Sequence, residues 1–229
     1  MRCCNSLKPG DFYKMESDVT LVEERVESAA GQDARKRQQI LEGASKVFHA
    51  NGFDGASMND IARVAGVSKG TLYVYFENKE RLFLELIAEE KRADLWPIMS
   101  LDSEDHDIST VLNRFGQEFL KLLTRPYYIK AMRTVFSIVE RMPEVGADYY
   151  SRGPQVCMEK LAQYLAAQAE AGVVEIEDPL LAAQQFMDLS QAGILRKLLF
   201  NATSTPSESE IALQVARAVT FFLKVYKPA

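Results

Sequence analysis

Twelve residues in this chain hold two helix starts and a helix stop, and that density of signals fixes the local fold. Ser57 stands where a side-chain oxygen can cap free backbone N–H groups, and Asp60 follows three residues later as a variant capping box. Ile61, Ala62 and Ala65 give the helix an inward face. Gly66 then occupies the left-handed position that ends it. Ser68 caps a second helix, Lys69 to Phe76, on which Leu72 and Phe76 are four apart and share one side. Two short helices joined by so tight a turn form a helix-turn-helix pattern.

The second helix leaves Lys69, Thr71, Tyr73 and Tyr75 largely outside its apolar side. Lys and Tyr suit phosphate oxygens, Thr suits a base edge or a thymine methyl, and Gly70 permits close approach. A helical hairpin with a merely solvated polar face is the other reading of this pattern. Upstream, Ile40, Leu41, Ala44, Val47 and Phe48 recur at helical spacing and predict a first helix from Asp33 to Asn51. Its opening cluster, Arg35-Lys36-Arg37, either reaches phosphates or faces solvent. Phe53 is expected to plug a small core beside Phe48 and Leu72. Downstream, Asn78 is a natural N-cap for a fourth helix carrying Leu82, Phe83, Leu86 and Ile87, ending before Pro97. Lys79 falls in its first turn, where outward N–H groups make an anion site.

The run Gly66-Val67-Ser68-Lys69-Gly70-Thr71-Leu72-Tyr73-Val74-Tyr75-Phe76, followed by Asn78-Lys79-Glu80-Arg81-Leu82, resembles the DNA-binding domain of the TetR/AcrR family of bacterial transcriptional regulators. Ile40-Leu41, Ala44, Phe48 and Gly52-Phe53 are similar to that family's first helix. The resemblance covers about residues 34–94. It implies a double-stranded DNA operator, with Tyr75 and Lys79 on the backbone and Thr71 and Tyr73 facing bases. The implied contact set is Ser57, Ser68, Lys69, Gly70, Thr71, Tyr73, Tyr75 and Lys79.

The net charge of −5 argues at first against a nucleic-acid partner. Yet residues 33–81 carry eight basic against six acidic side chains and form the one positive stretch. So small an excess makes placement matter more than bulk charge. No run of about 18 apolar residues is present, so no membrane span is expected, and the N-terminus lacks a secretory core. Together these point to the cytoplasm. Residues 1–32 show no lasting periodicity and are read as a flexible arm, with Met15 as a second possible start.

Cys3, Cys4 and Cys157 make no disulfide framework. His49 and His106 share no ligand cluster. The acidic stretch 100–107 lacks the glycine and final glutamate of a calcium loop and reads as a solvated linker. No metal and no cofactor is expected. No nucleophile elbow, zinc-protease helix or dinucleotide fingerprint is present, and Lys69-Gly70-Thr71 lacks the glycine spacing of a phosphate loop. An enzyme is not expected.

From Ile108 on the pattern is helical throughout, giving an all-α protein: a three-helix DNA-reading head, a connecting helix and five further helices. Those five are expected at 108–124, 126–143, 145–171, 179–201 and from about Ile211 to Tyr226. The domains are an arm at 1–32, a helix-turn-helix domain at 34–94 and an effector and dimerisation domain at 95–229. The last two long helices have apolar arcs too wide for one neighbour. Coverage by a second copy would make a homodimer through Phe186, Leu189, Leu198, Val215, Val219 and Phe222; burial inside the monomer is the alternative. The resemblance also points to dimers and to a pocket for an unknown small-molecule effector, with Trp96, Phe115, Phe119, Tyr127, Met132 and Phe136 as candidate lining. It implies a repressor released from a palindromic operator when effector binding repositions the fourth helix. Two other readings remain. One is an activator or global regulator without a small effector. The other is an all-α ligand-binding protein that has lost DNA binding.

Overall fold

The computed structural model describes residues 9–226, with side chains for residues 31–89 and 98–226. Eleven helices follow one another among the described residues: α1 Pro9–Gly55, α2 Met58–Ala65, α3 Lys69–Tyr75, α4 Lys79–Met99, α5 Ile108–Thr124, α6 Pro126–Ile138, α7 Pro143–Arg152, α8 Pro154–Glu170, α9 Pro179–Gln191, α10 Leu195–Leu199 and α11 Glu208–Tyr226. The chain divides into two compact units, Met1–Leu82 and Phe83–Ala229, each with its own core.

In the first unit α1 begins far upstream of the expected Asp33. No proline lies between Pro9 and Pro97, and the sequence from Glu23 to Gln39 is rich in Glu, Ala, Arg and Gln, all strong helix formers. Helical backbone therefore extends through much of the segment read as an arm; side chains before Gly31 lie outside the described residues. At the other end Gly52, at φ 72° and ψ 177°, interrupts the helix where Asn51-Gly52 predicts a stop.

The head core draws Ile40, Leu41, Ala44, Val47 and Phe48 from α1, Ile61, Ala62 and Ala65 from α2, and Leu72 from α3. Phe53 is buried and stacks on Phe48 with centroids 5.9 Å apart, as expected. The tightest approach is at Gly43, which the periodicity does not single out. A Cβ at that position would stand 2.6 Å from Ala65 Cβ and 2.7 Å from its Cα, so α1 and α2 touch backbone to backbone. Beside this contact Gln39 Nε2 donates to the Ala65 carbonyl at 2.6 Å, satisfying an acceptor at the end of α2.

In the second unit α5, α8, α9 and α11 enclose the main core. Phe115, Phe186 and Phe222 form a continuous ring contact at its centre, with centroid separations of 6.2 and 5.4 Å. Gly116 admits α11 here; a Cβ there would lie 2.7 Å from Val215 Cγ1. This packing corrects the expected dimer residues. Phe186, Leu198, Val215, Val219 and Phe222 are buried within the unit, and Leu189 packs against the same core. The other side of α11 is the open one, with Leu213, Phe221 and Val225 exposed.

Three helix boundaries also differ from expectation. The helix expected over 145–171 breaks at Gly153, because Pro154 pushes its predecessor out of helical geometry. The helix expected over 179–201 breaks after Gln191, where Gly193 turns left-handed at φ 75°. With these breaks, seven helices follow the connector rather than five. Helix α4 runs past Pro97 to Met99; a proline this near the C-terminal end removes one hydrogen bond of the last turns without ending the helix.

The acidic stretch 100–107 is pinned rather than merely solvated. Gln168, fully buried, donates through Nε2 to the Ser103 carbonyl at 2.8 Å and accepts at Oε1 from His106 Nδ1 at 2.8 Å. The Tyr164 hydroxyl donates to the Asp105 carbonyl at 2.8 Å. Asp107 caps α5 by accepting from the Thr110 N–H. No group of three metal-ligating side chains stands together among the described residues.

The Gly43 contact yields a test of the head's packing. Gly43→Ala is expected to lower the denaturation midpoint of the head by about 1–3 kcal/mol of stability, because two backbones must separate to admit the methyl. A chemical denaturation curve followed by circular dichroism checks this. An unchanged midpoint would show that α1 and α2 do not approach so closely.

Candidate functional site

The two caps form as the sequence predicts. Ser57 Oγ accepts from the Asp60 N–H at 3.1 Å and donates to Asp60 Oδ2 at 2.6 Å. That hydroxyl, followed by Arg63, holds the Asp60 carboxyl below the ordinary aspartate range. Gly66 is left-handed at φ 65°. Ser68 Oγ accepts from the Thr71 N–H at 3.0 Å and pairs with Thr71 Oγ1 at 2.8 Å. Ser57, Ser68 and Thr71 therefore use their hydroxyls first to hold the turn.

Leu72 is fully buried and Phe76 nearly so, and they fix which side of α3 faces outward. Lys69, Gly70, Tyr73 and Val74 are exposed on that side, and Thr71 is half-buried. Lys69 Nζ lies over the Tyr73 ring, 5.9 Å from its centre, a cation–π placement. At Gly70 an added Cβ would meet nothing nearer than Ser68 Oγ at 3.8 Å. Val74 is 83 % exposed, the most open large apolar side chain of the described residues. Sequence reasoning passes over it, because an apolar residue beside Leu72 and Phe76 reads as core. Its position between two tyrosines that flank the buried row is the signal that could have placed it outside.

The two residues expected on the DNA backbone also have partners within the head. Tyr75 donates its hydroxyl to Asp33 Oδ1 at 2.6 Å, tying the end of α3 to α1. This bond raises the Tyr75 hydroxyl above the ordinary tyrosine value, so it stays protonated at neutral pH. Lys79 Nζ donates to the carbonyls of Phe53 at 2.8 Å and Ala56 at 3.1 Å, and stands 4.4 Å from the centre of the Phe53 ring. Its ammonium is thus a clamp on the α1–α2 turn, with one of three donors left over. Asn78 Oδ1 caps α4 by accepting from the Arg81 N–H at 2.8 Å, as expected. Within the basic cluster, Arg37 lies 5.6 Å from the Phe76 ring centre and Lys36 donates to Gln39 Oε1.

The second unit holds a cavity of about 260 Å³ between α5, α6, α7, α8 and α9. Of the residues expected to line it, Phe119 and Met132 do so. Phe115 lies in the main core, Tyr127 packs against that core away from the cavity, and Phe136 is 61 % exposed. The side chain of Trp96 lies outside the described residues. The lining missed by sequence reasoning includes Tyr128, Tyr149, Cys157, Met187 and Asp188. Reading 145–171 as one helix conceals it, since the break at Gly153 sets the directions of α7 and α8. Burial pushes the Tyr149 phenol up to about 12, so it is a hydrogen-bond donor at neutral pH.

A capped helix-turn-helix with an open reading side, on a chain whose second unit is a helical bundle around a cavity, defines the class of DNA-binding helix-turn-helix proteins. Two family profiles match. "Bacterial regulatory proteins, tetR family" matches residues 40–86, and "AefR-like transcriptional repressor, C-terminal domain" matches residues 110–228. The chain belongs to the TetR family of bacterial regulatory proteins, a class of transcriptional regulators rather than enzymes. It is similar to the crystal structure of a TetR-family transcriptional regulator from Mesorhizobium loti, with 27% identity and a TM-score of 0.77, covering 85% of this chain and 98% of that one. It is also similar to the flavonoid-responsive regulator FrrA, at 30% identity and a TM-score of 0.72, with the same coverage. Over 55 residues it is 40% identical to the transcriptional repressor AcnR of Corynebacterium diphtheriae, which is 24% of this chain and 29% of that protein. The chain spans less than half the length of the curated relatives it matches. Among the described residues no helix is long and apolar enough to cross a membrane.

The Lys79 clamp generates its own prediction. Lys79→Met is expected to cost the head about 1–3 kcal/mol, since two carbonyls lose a charged donor. The denaturation midpoint of the variant checks it. An unchanged midpoint would contradict the clamp and return Lys79 to a purely phosphate-binding role.

Proposed function

We propose that this chain is a cytoplasmic transcriptional repressor that grips a palindromic double-stranded operator as a homodimer and is released by a small-molecule effector. The observation that carries the reading is the outer side of α3. Lys69, Thr71, Tyr73 and Val74 lie on one short helix whose other side is anchored by a fully buried leucine. Lys69 supplies a phosphate contact, Thr71 and Tyr73 reach base edges, and Val74 offers a methyl surface to thymine. Tyr75 joins the backbone contacts by exchanging its Asp33 acceptor for a phosphate oxygen.

Pairing of two copies is supported by α11, whose inner residues are consumed by the monomer core while Leu213, Phe221 and Val225 stay exposed. An apolar row on a terminal helix suits a two-fold contact in which each copy covers the other. Effector control is supported by the cavity, whose mostly apolar lining with a few polar groups is the usual make-up of a small-molecule site. FrrA, similar along nearly its whole length, is flavonoid-responsive by name, which fits a chamber lined by aromatic rings. The coupling would run along α4, whose residues belong to both units, by favouring a setting of the heads that mismatches the operator spacing. The cavity also weighs against an activator or global regulator without an effector.

A gel-shift titration on a selected duplex tests the head. Tyr73→Ala is expected to weaken binding by about 1–3 kcal/mol and to relax preference at its base position. Lys69→Ala is expected to weaken binding evenly across sequences, with the salt slope reduced by about 1. Parent-like affinity in both variants would reject the assignment. For the dimer, Phe221→Glu is expected to shift the chain toward monomer in light scattering. A parent assembly that is already monomeric, or a variant that remains dimeric, would remove α11 from the interface.

A further inference from the structure

The chamber of the second unit has a chemical bias that the pairing of regulator and effector does not by itself require. Its lining is mostly apolar and aromatic, with Phe119, Tyr128, Tyr149 and Tyr150 alongside three methionines. Its lining contains one charged side chain, Asp188 of α9, and no lysine, arginine or histidine. Asp188 Oδ1 accepts from Gln191 Nε2 at 2.8 Å, and Asp188 makes no ion pair among the described residues. Gln184, one turn earlier on α9, lines the same wall. Arg196 and Lys197 are exposed residues that line an adjoining, wider cleft, which Asp188 borders as well.

We propose that the effector is an organic cation: a ring with a short chain and an amine or ammonium group held at Asp188. The proposal rests on the effector reading above and names the chemical class of its ligand. Three features lead to it. An anion entering this chamber would leave water, meet a carboxylate and find no cationic partner in the lining. A cation would meet one carboxylate and a lining that holds three tyrosines and a phenylalanine, rings whose quadrupoles attract positive charge. The methionine side chains adapt to an irregular apolar body without a fixed shape. Size is consistent with the same ligand. A cavity of about 150 Å³ accommodates benzene, so a chamber of about 260 Å³ has room for a ring with a short chain.

The test uses the full chain without DNA and three probes of matched shape: phenylbutylamine, phenylbutanol and phenylbutyrate, titrated by calorimetry at neutral pH. The amine is expected to bind about fivefold to tenfold more tightly than the alcohol, and the carboxylate more weakly than both. Asp188→Asn is expected to bring the amine down to the affinity of the alcohol while leaving the alcohol unchanged. Asp188 is exposed, and an unchanged melting curve confirms that the variant folds. Glu170→Gln removes the same charge outside the lining and is expected to leave the preference intact. The proposal is overturned if the alcohol or the carboxylate matches the amine, if the preference survives Asp188→Asn, or if none of the probes binds. A parallel gel shift without ligand separates the two levels. Retained operator binding with no preference for the cation overturns the ligand class alone, whereas loss of operator binding by the parent overturns the regulator.

Discussion

The head depends on the burial of Leu72. A seven-residue helix is far below the length at which helices hold together in water, so α3 exists only because something else holds it. Leu72, fully excluded from solvent, contributes about 1.5–3 kcal/mol of burial, and Ser68 at one end satisfies an N–H that would otherwise be orphaned. The same anchoring sets the rotation of the helix. With Leu72 inside, Tyr73 and Val74 have to point out, and the chemistry of the reading surface follows from a packing decision. The Tyr75–Asp33 bond and the Lys79 clamp serve the same end, since each ties a flank of α3 to α1 or to the turn after it. Residues that the sequence marks for phosphate therefore also build the platform from which the others reach.

The second unit solves a different problem. Its core must be firm, yet it leaves a chamber within the bundle. Firmness comes from the contact of α5 with α11 at Gly116 and from the ring contacts of Phe115, Phe186 and Phe222. The chamber is bordered by helices that the chain has broken, α7 from α8 at Gly153 and α9 from α10 at Gly193. A continuous helix over either stretch would carry its side chains along one line, whereas a break lets neighbouring turns face a common space.

Legibility in the sequence follows the range of the interaction. Caps were readable at Ser57, Ser68, Asn78 and the Gly66 stop, because a cap is decided within three or four residues. The all-helical character and the buried positions of the head were readable for the same reason. Contacts across the fold were not. Gly43 looks like a weak spot in a helix until Ala65 is seen against it. Lys79 looks like a free cation until the Phe53 and Ala56 carbonyls are found around its ammonium. On α11 periodicity gives an apolar arc that includes both Phe221 and Phe222, but only packing decides that Phe222 belongs to the core and Phe221 to the surface. The Gly153-Pro154 break was available in principle, since proline restricts the residue before it.

The central claim is that the outer side of α3 enters the major groove in duplicate. Dimethyl sulfate footprinting on a duplex selected by the purified chain tests it most directly, because the reagent reports guanine N7 in that groove. The account predicts two protected major-groove segments related by a two-fold axis, their centres one helical turn of about 10–10.5 base pairs, or a multiple, apart. Protection of a single segment, or a duplex bound with every guanine N7 still reactive, would contradict it.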